Sequence, residues 1–178
     1  AYESGKPHFK RRSVLLPRSE WLPRGWPVAE CEVPVLAGSA IFVRTHTLRT
    51  IRFDPNIFLY HEDDDWSLCI KRAGGTLVFV PDAEVTHLSG KSSGRSPGVA
   101  YFKGFHMGRS KVYVLREAGV PAAKLRSILG VLAQMASPVN WFSARKWAKL
   151  AGMYKGIRVT TEKTRFDDVL ARRQSLLP

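Results

Sequence analysis

The sequence predicts a mixed α/β unit over residues 1–98, followed by a basic α-helical region over residues 99–178. Short apolar runs rich in β-branched residues dominate the first part, whereas apolar residues recur at helical spacing in the second. Charge divides in the same way. Residues 1–98 carry thirteen Lys and Arg against eleven Asp and Glu, and residues 99–178 carry fifteen against four. The basic character therefore belongs to the second part, although 44% hydrophobic content predicts an ordinary globular core throughout.

The first elements follow an irregular start. Residues 1–30 hold four prolines, two tryptophans and many cations without periodicity, which predicts an extended loop. Val33–Arg44 is a nearly continuous apolar run and predicts a buried strand or strand pair, with a close backbone approach at Gly38. Thr45–Ile51 predicts a short helix.

A helix and two short strands complete the first unit. Trp66, Ile70 and Ala73 recur at helical spacing over Asp63–Ala73, and two glycines then supply a stop signal. Thr76–Pro81 predicts a strand, and Ala83–His87 a second short one. Lys91–Gly98 is rich in Ser and Gly and predicts a flexible loop.

The second part predicts three helices. One covers Lys103–Ala118, and another follows Pro121 with Leu125, Leu129 and Leu132 on one face. Asn140–Ile157 predicts the third helix, which has an apolar side and several cations around it.

The cysteines and the apolar runs of the sequence indicate in which cellular compartment the protein is expected. Cys31 and Cys69 match no zinc or redox spacing, so buried, reduced thiols are expected. No apolar run approaches the roughly 20 residues of a membrane span, and nothing at the start is typical of a signal peptide. A cytoplasmic location is the resulting expectation. The chain starts at Ala1 without an initiator Met, which favours a processed protein or a piece of a longer one.

Four consecutive carboxylates, Glu62–Asp65, open the helix of the first unit. A solvated, capping first turn is one interpretation, because helix N-termini favour negative charge. However, four like charges in sequence repel one another and usually have a cation, a metal or a proton-transfer role. A calcium loop is disfavoured because the glycine and the bidentate glutamate of an EF-hand are missing.

The stretches GSAIFVR and FDPNIFLYHEDDDWSLCIKRAGGTLVFVPDAEVTHLSG resemble the acceptor-side half of family 2 glycosyltransferases of the GT-A fold, including rhamnosyl- and galactofuranosyltransferase-like members. The resemblance covers Pro34–Ser93, about a third of the chain. It implies an incomplete GT-A, Rossmann-like half with a mixed sheet. It also implies inverting transfer of a sugar from a nucleotide-diphosphate sugar to a hydroxyl of a glycan or lipid-linked acceptor.

The resemblance assigns roles to the acidic turn and its neighbours. Asp63 corresponds to the general base, Glu62 to a residue that holds acceptor hydroxyls, and Asp65 to a support of the helix start. Gly38 and Ser39 fall where the family's strand lines the acceptor pocket. Trp66 replaces the family's usual leucine, which alters either acceptor fit or core packing.

The resemblance also places a divalent metal, Mg²⁺ or Mn²⁺, at His87 beside the nucleotide diphosphate. The following residues, Lys91, Ser92, Ser93, Gly94 and Arg95, correspond to a mobile loop near that diphosphate, with a plain solvent loop as the alternative. The family's nucleotide-binding half, ending in D-x-D, has no counterpart before Gly38. Taking Asp63-Asp64-Asp65 as that motif is disfavoured because everything downstream matches the acceptor side. The chain alone is therefore expected not to complete a donor site.

The basic region leaves two partner classes open. Its interleaved aromatics, Trp141, Phe142, Trp147 and Tyr154, favour peripheral contact with an anionic membrane surface on the inner face, or simple packing onto the α/β unit. A non-catalytic basic module that binds a membrane or nucleic acid is the rival function. Nucleic acid is not expected, because no binding motif is present and the acidic turn would repel phosphate.

Overall fold

The computed structural model describes residues 9–10, 19, 21–22, 27–85 and 93–160. These residues form two compact units. The first contains described residues up to Asp54 and from Glu62 onward to residue 85, and the second contains Pro55–His61 and residues 93–160. The predicted mixed α/β organisation is confirmed, with short strands in the first unit and mostly helices overall.

The strands of the first unit form two antiparallel pairs. β1 (Phe9–Lys10) pairs with β3 (Val35–Leu36), and β2 (Cys31–Glu32) pairs with β4 (Val78–Phe79). A backbone hydrogen bond of 2.8 Å from Val33 N to Leu77 O extends the second pair. The expected mixed sheet is thus replaced, among the described residues, by two small antiparallel sheets.

Two strand predictions and one loop prediction need correction. The apolar run after Gly38 is not a buried strand, since Phe42 is 88% exposed and the chain there is irregular. The Gly38 amide donates a hydrogen bond to the carboxylate of Asp63 and not to a neighbouring strand, and β3 ends at Leu36. Ala83–Val85 forms no strand, and residues 1–30, expected to be irregular, contain β1.

Helices α1 (Thr45–Thr50) and α2 (Glu62–Arg72) confirm two helix predictions. α2 ends as its sequence predicts, because Gly74 adopts a φ of 82°, its amide donates to Lys71 O, and the Gly75 amide donates to Ile70 O. The inner face of α2 supplies the core of this unit. Its buried residues are Val33, Ile51, Trp66, Cys69, Ile70, Ala73 and Leu77.

The second unit consists of α3 (Pro97–Glu117), α4 (Ala123–Ala136), a 3₁₀ turn (Pro138–Asn140) and α5 (Ala144–Val159). α3 begins six residues earlier than predicted and absorbs the end of the expected loop. Ser96 caps it by accepting a hydrogen bond from Val99 N, and Pro97 occupies the first helical position. Among the described residues, no helix combines the length and apolar character needed to cross a bilayer.

Glycines set the packing of α3 on α5. Gly104 and Gly108 face the backbone of α5, and Gly152 and Gly156 face the backbone of α3. A Cβ at any of the four would overlap a backbone carbonyl oxygen of the facing helix. The two helices therefore approach more closely than side chains would permit.

α4 buries a different face from the predicted one. Leu125, Leu129 and Leu132 are 58%, 56% and 45% exposed, whereas Ser127 and Val131 are buried. Val131 is the side chain that α4 contributes to the core, with Ile128 and Met135 packed against it. The core of this unit is formed by Val112, Val131, Leu150, Met153 and Ile157.

Candidate functional site: the acidic turn and a basic cavity

Two left-handed residues precede the acidic turn. Tyr60 and His61 have φ values of 64° and 66°, a conformation that costs a non-glycine residue about 1 to 3 kcal/mol. Such strain persists only where the surrounding structure fixes it, and it is concentrated at functional sites. Glu62, the first residue of α2, follows them directly in the chain.

The carboxylate of Asp63 is held by two backbone amides. Its Oδ2 accepts a hydrogen bond of 3.1 Å from Gly38 N, and its Oδ1 accepts one of 3.0 Å from Asp64 N. Each carboxylate oxygen has a second lone pair, so Asp63 retains the capacity to accept a proton. The side chain is only half-buried and its orientation is fixed. Gly38 and Asp63, 25 positions apart in sequence, are thus brought together.

Glu62 has an acceptor atom without a partner. Its Oε2 is buried and makes no hydrogen bond to any of the described residues. Leaving a buried polar atom unsatisfied costs about 1 to 3 kcal/mol, and more for a charged group. A ligand hydroxyl that donates to this oxygen would remove that cost.

The other two carboxylates of the turn lie inside the protein. Asp64 is 4% exposed and Asp65 is fully buried. The four acids therefore divide into two that are half-buried, Glu62 and Asp63, and two that are enclosed. Burial favours a structural role for Asp65.

Trp66 belongs to the core of the first unit. It is 1% exposed, its Nε1 donates a 2.7 Å hydrogen bond to Ile51 O, and its ring stacks on Phe53 at 5.3 Å. These contacts favour the packing interpretation of Trp66 over direct contact with an acceptor. An apolar cavity of about 520 Å³ lies beside it, lined in part by Ile41, Phe42 and Leu77. Ser39 is half-buried next to Gly38.

The second unit contains a separate basic cavity of about 360 Å³. Ser93 and Arg95, two residues of the predicted diphosphate loop, line it together with Lys103, Arg145 and Lys149. These last three residues were not predicted from the sequence as site residues. His87, Lys91 and Ser92 lie outside the described residues.

The packing of His106, in the same unit, was also not predicted from the sequence. His106 packs among the rings of Phe58, Phe102 and Phe105 at centroid distances of 4.7 to 5.2 Å. Burial, together with the positive charge of Arg109, lowers the pKa of His106 below its usual value of 6.5. The ring is therefore neutral at pH 7 and behaves as part of an aromatic cluster.

Comparison with known proteins bears on the function of the chain. The chain is 37% identical over 86 residues to the N-acetylglucosaminyl-diphospho-decaprenol L-rhamnosyltransferases of Mycobacterium tuberculosis strains CDC 1551 / Oshkosh and ATCC 25618 / H37Rv. The match covers 46% of this chain and 28% of each relative, so the chain spans less than a third of their length. No family model and no solved structure matches the chain. This partial similarity supports a glycosyltransferase-like relationship.

Proposed function

We propose that the chain is the acceptor-side part of an inverting glycosyltransferase of the family 2, GT-A type. The observation that carries the proposal is the Asp63 carboxylate, fixed by the Gly38 amide beside a Glu62 oxygen that has no hydrogen-bond partner among the described residues. The partial similarity to N-acetylglucosaminyl-diphospho-decaprenol L-rhamnosyltransferases, which are named for a lipid-linked sugar diphosphate, supports the same assignment.

In the proposed reaction, Glu62 accepts a hydrogen bond from a hydroxyl of a glycan or lipid-linked acceptor. Asp63 takes the proton of the attacking hydroxyl while the oxygen of that hydroxyl bonds to the anomeric carbon of the sugar. The bond from that carbon to the nucleoside diphosphate breaks, and the diphosphate leaves with the electron pair. Gly38 keeps the carboxylate oriented, so that little reorganisation is needed when the acceptor arrives.

A divalent metal, Mg²⁺ or Mn²⁺, is part of the proposal only because the resemblance to family 2 glycosyltransferases implies one. Its expected ligand, His87, lies outside the described residues. When bound, such an ion would stabilise the charge of the leaving diphosphate.

The test is an activity assay on the protein made from its complete reading frame. Nucleotide-diphosphate sugars are offered with a lipid-linked sugar diphosphate, and the glycosylated lipid is measured. Transfer that EDTA removes and that Mg²⁺ or Mn²⁺ restores is the expected result. Absence of transfer across the common nucleotide sugars and acceptors would contradict the proposal.

A second candidate function, binding to an anionic membrane surface, is favoured by the second unit. Between Ser93 and Thr160 there are twelve Lys and Arg residues and one carboxylate, Glu117, which is buried. Val139, Trp141 and Phe142 form an apolar tip that is 75%, 55% and 94% exposed. Hydrogen bonds from Trp141 Nε1 to Met135 O and from Lys146 Nζ to Val139 O hold the tip in place. Exposed apolar groups among cations complement an anionic bilayer.

We expect Phe142→Ser to weaken binding to vesicles of phosphatidylcholine and phosphatidylglycerol by about tenfold or more, since burying a Phe side chain contributes about 1.5 to 3 kcal/mol. Leu48→Ser, an exposed apolar change in the first unit, is the control. Vesicle flotation measures the membrane binding of both variants. Equal binding to vesicles of phosphatidylcholine alone would contradict a role for charge, and salt-sensitive binding to DNA that Phe142→Ser leaves intact would favour the nucleic-acid alternative.

A further inference from the structure

The second unit carries a cluster of three rings at its surface, formed by Phe58, Phe102 and His106. The Phe58 ring lies 4.8 Å from the His106 ring and 6.2 Å from the Phe102 ring, and the last two lie 4.7 Å apart, all between ring centroids. Phe58 is nevertheless 67% exposed and Phe102 is 49% exposed. Neighbouring apolar groups that are left in water are typical of binding surfaces.

The packing of Pro55–His61 on α3 holds this cluster in place. Ile57 is buried, and Ser110 Oγ on α3 donates a 3.0 Å hydrogen bond to Leu59 O. Phe58 lies in sequence between these two anchored residues. Phe102 and His106 are four positions apart on α3 and therefore share one face of that helix. The rings are preorganised, so little conformational entropy is lost when a ligand binds to them.

His106 gives the cluster a polar edge. Its ring is partly buried, and its two nitrogens have no hydrogen-bond partner among the described residues. Burial and the charge of Arg109 lower the pKa of His106, so the imidazole is neutral at pH 7. A neutral imidazole offers one N–H donor and one nitrogen acceptor. The surface therefore combines apolar rings with one donor and one acceptor.

A purely apolar partner suits this surface poorly. A hydrocarbon chain laid over the rings would take the imidazole nitrogens out of water and supply no hydrogen bond in return, which costs free energy. A second copy of the chain is disfavoured by charge. Between Ser93 and Thr160 there are twelve Lys and Arg residues against one carboxylate, Glu117, which is buried, so two such units repel each other.

A sugar ring matches both properties of the surface. The C–H groups on one face of the sugar carry partial positive charge, which suits the negative face of an aromatic ring. The hydroxyl groups at the rim of the sugar can both accept from and donate to a neutral imidazole. Binding sites for small molecules generally combine aromatic walls with a few polar groups in this way.

We propose that Phe58, Phe102 and His106 bind a sugar ring, with the two phenyl rings against its C–H groups and the imidazole on its hydroxyls. The assignment of that ring to the acceptor glycan rests on the proposed function, whereas the binding of a sugar rests on the cluster alone.

Saturation-transfer NMR of the full chain tests the site with N-acetylglucosamine and L-rhamnose as probes. Phe58→Ala and Phe102→Ala are each expected to raise the Kd of the bound sugar about three- to tenfold, because each removes a ring contact. His106→Phe keeps a ring but loses both nitrogens, and a rise of about the same size is expected. Phe142→Ala removes an exposed ring of the same unit outside the cluster and should leave the Kd unchanged. Thermal melting confirms that the four variants fold.

Failure of both sugars to bind, or an equal change of Kd in Phe58→Ala and Phe142→Ala, would overturn the inference. Binding of farnesol that Phe58→Ala weakens and that neither sugar displaces would also overturn it, since the cluster would then be a lipid surface. The measurement needs no turnover. Sugar binding that depends on the three rings, in a protein that transfers no sugar, would therefore refute the proposed function and leave the sugar site standing.

Discussion

Gly152→Ala is expected to destabilise the helical unit by about 3 kcal/mol, although alanine is the better helix former. The new methyl group would overlap Tyr101 O and approach the backbone of Phe105, so α3 and α5 would have to separate. Forcing extra volume into a packed contact costs about 1 to 3 kcal/mol, and more where the obstacle is backbone. The gain in helix propensity, about 1 kcal/mol, offsets only part of this cost.

Gly130→Ala is the matched control on α4. Apart from the backbone of its own helix, none of the described residues lies within 4 Å of the position that a Cβ would take at Gly130, so the same substitution should stabilise the protein by up to about 1 kcal/mol. Urea unfolding followed by circular dichroism measures both changes. Equal and small effects at the two positions would show that α3 and α5 do not touch through their glycines.

Asp63→Asn is expected to lower the turnover of sugar transfer by about 10² to 10⁴-fold in the protein made from its complete reading frame. An amide cannot take the proton of an acceptor hydroxyl at neutral pH, whereas its size matches the carboxylate. One of the two backbone amides that bind Asp63 would lose its acceptor, which costs stability only about 1 kcal/mol.

Initial rates at saturating donor and acceptor measure the loss, and thermal melting measures the stability. Asp82→Asn is the control, because Asp82 is an exposed carboxylate after β4. It should leave turnover unchanged. Full activity in Asp63→Asn would remove Asp63 from the role of base.

The elements defined by local signals were predictable from the sequence. α2 has its acids in the first turn, its cations in the last and a glycine stop, and its range was predicted to within one residue at each end. α3 was predicted too short because Pro97 and Gly98 resemble helix breakers. In fact Ser96 and Pro97 are the cap and first residue of the helix.

Elements that depend on distant partners were not predictable in the same way. The apolar run after Gly38 has strand composition, yet the Gly38 amide donates to Asp63 and the run stays irregular. Leu129 is 56% exposed, and periodicity alone does not reveal which face of a helix the neighbouring elements cover. Glycines four positions apart on two helices, as at Gly104 and Gly108, were a usable signal for the close crossing.

The sequence identified the residue types of the candidate site but not the contacts and backbone geometry around them. The hydrogen bond from Gly38 to Asp63 was not predicted, because it joins residues 25 positions apart. The left-handed Tyr60 and His61, and the gathering of Lys103 and Lys149 beside Ser93, arise from backbone geometry and helix packing. Such arrangements combine residues far apart in the chain.

The anomeric configuration of the first glycosylated product is the most direct test of the central claim, that a single carboxylate activates the acceptor for one displacement. Proton NMR of the product formed at early times, compared with the donor sugar, gives the configuration. Inversion is the expected result, because the acceptor oxygen attacks the face opposite the leaving diphosphate. Retention of configuration would contradict it.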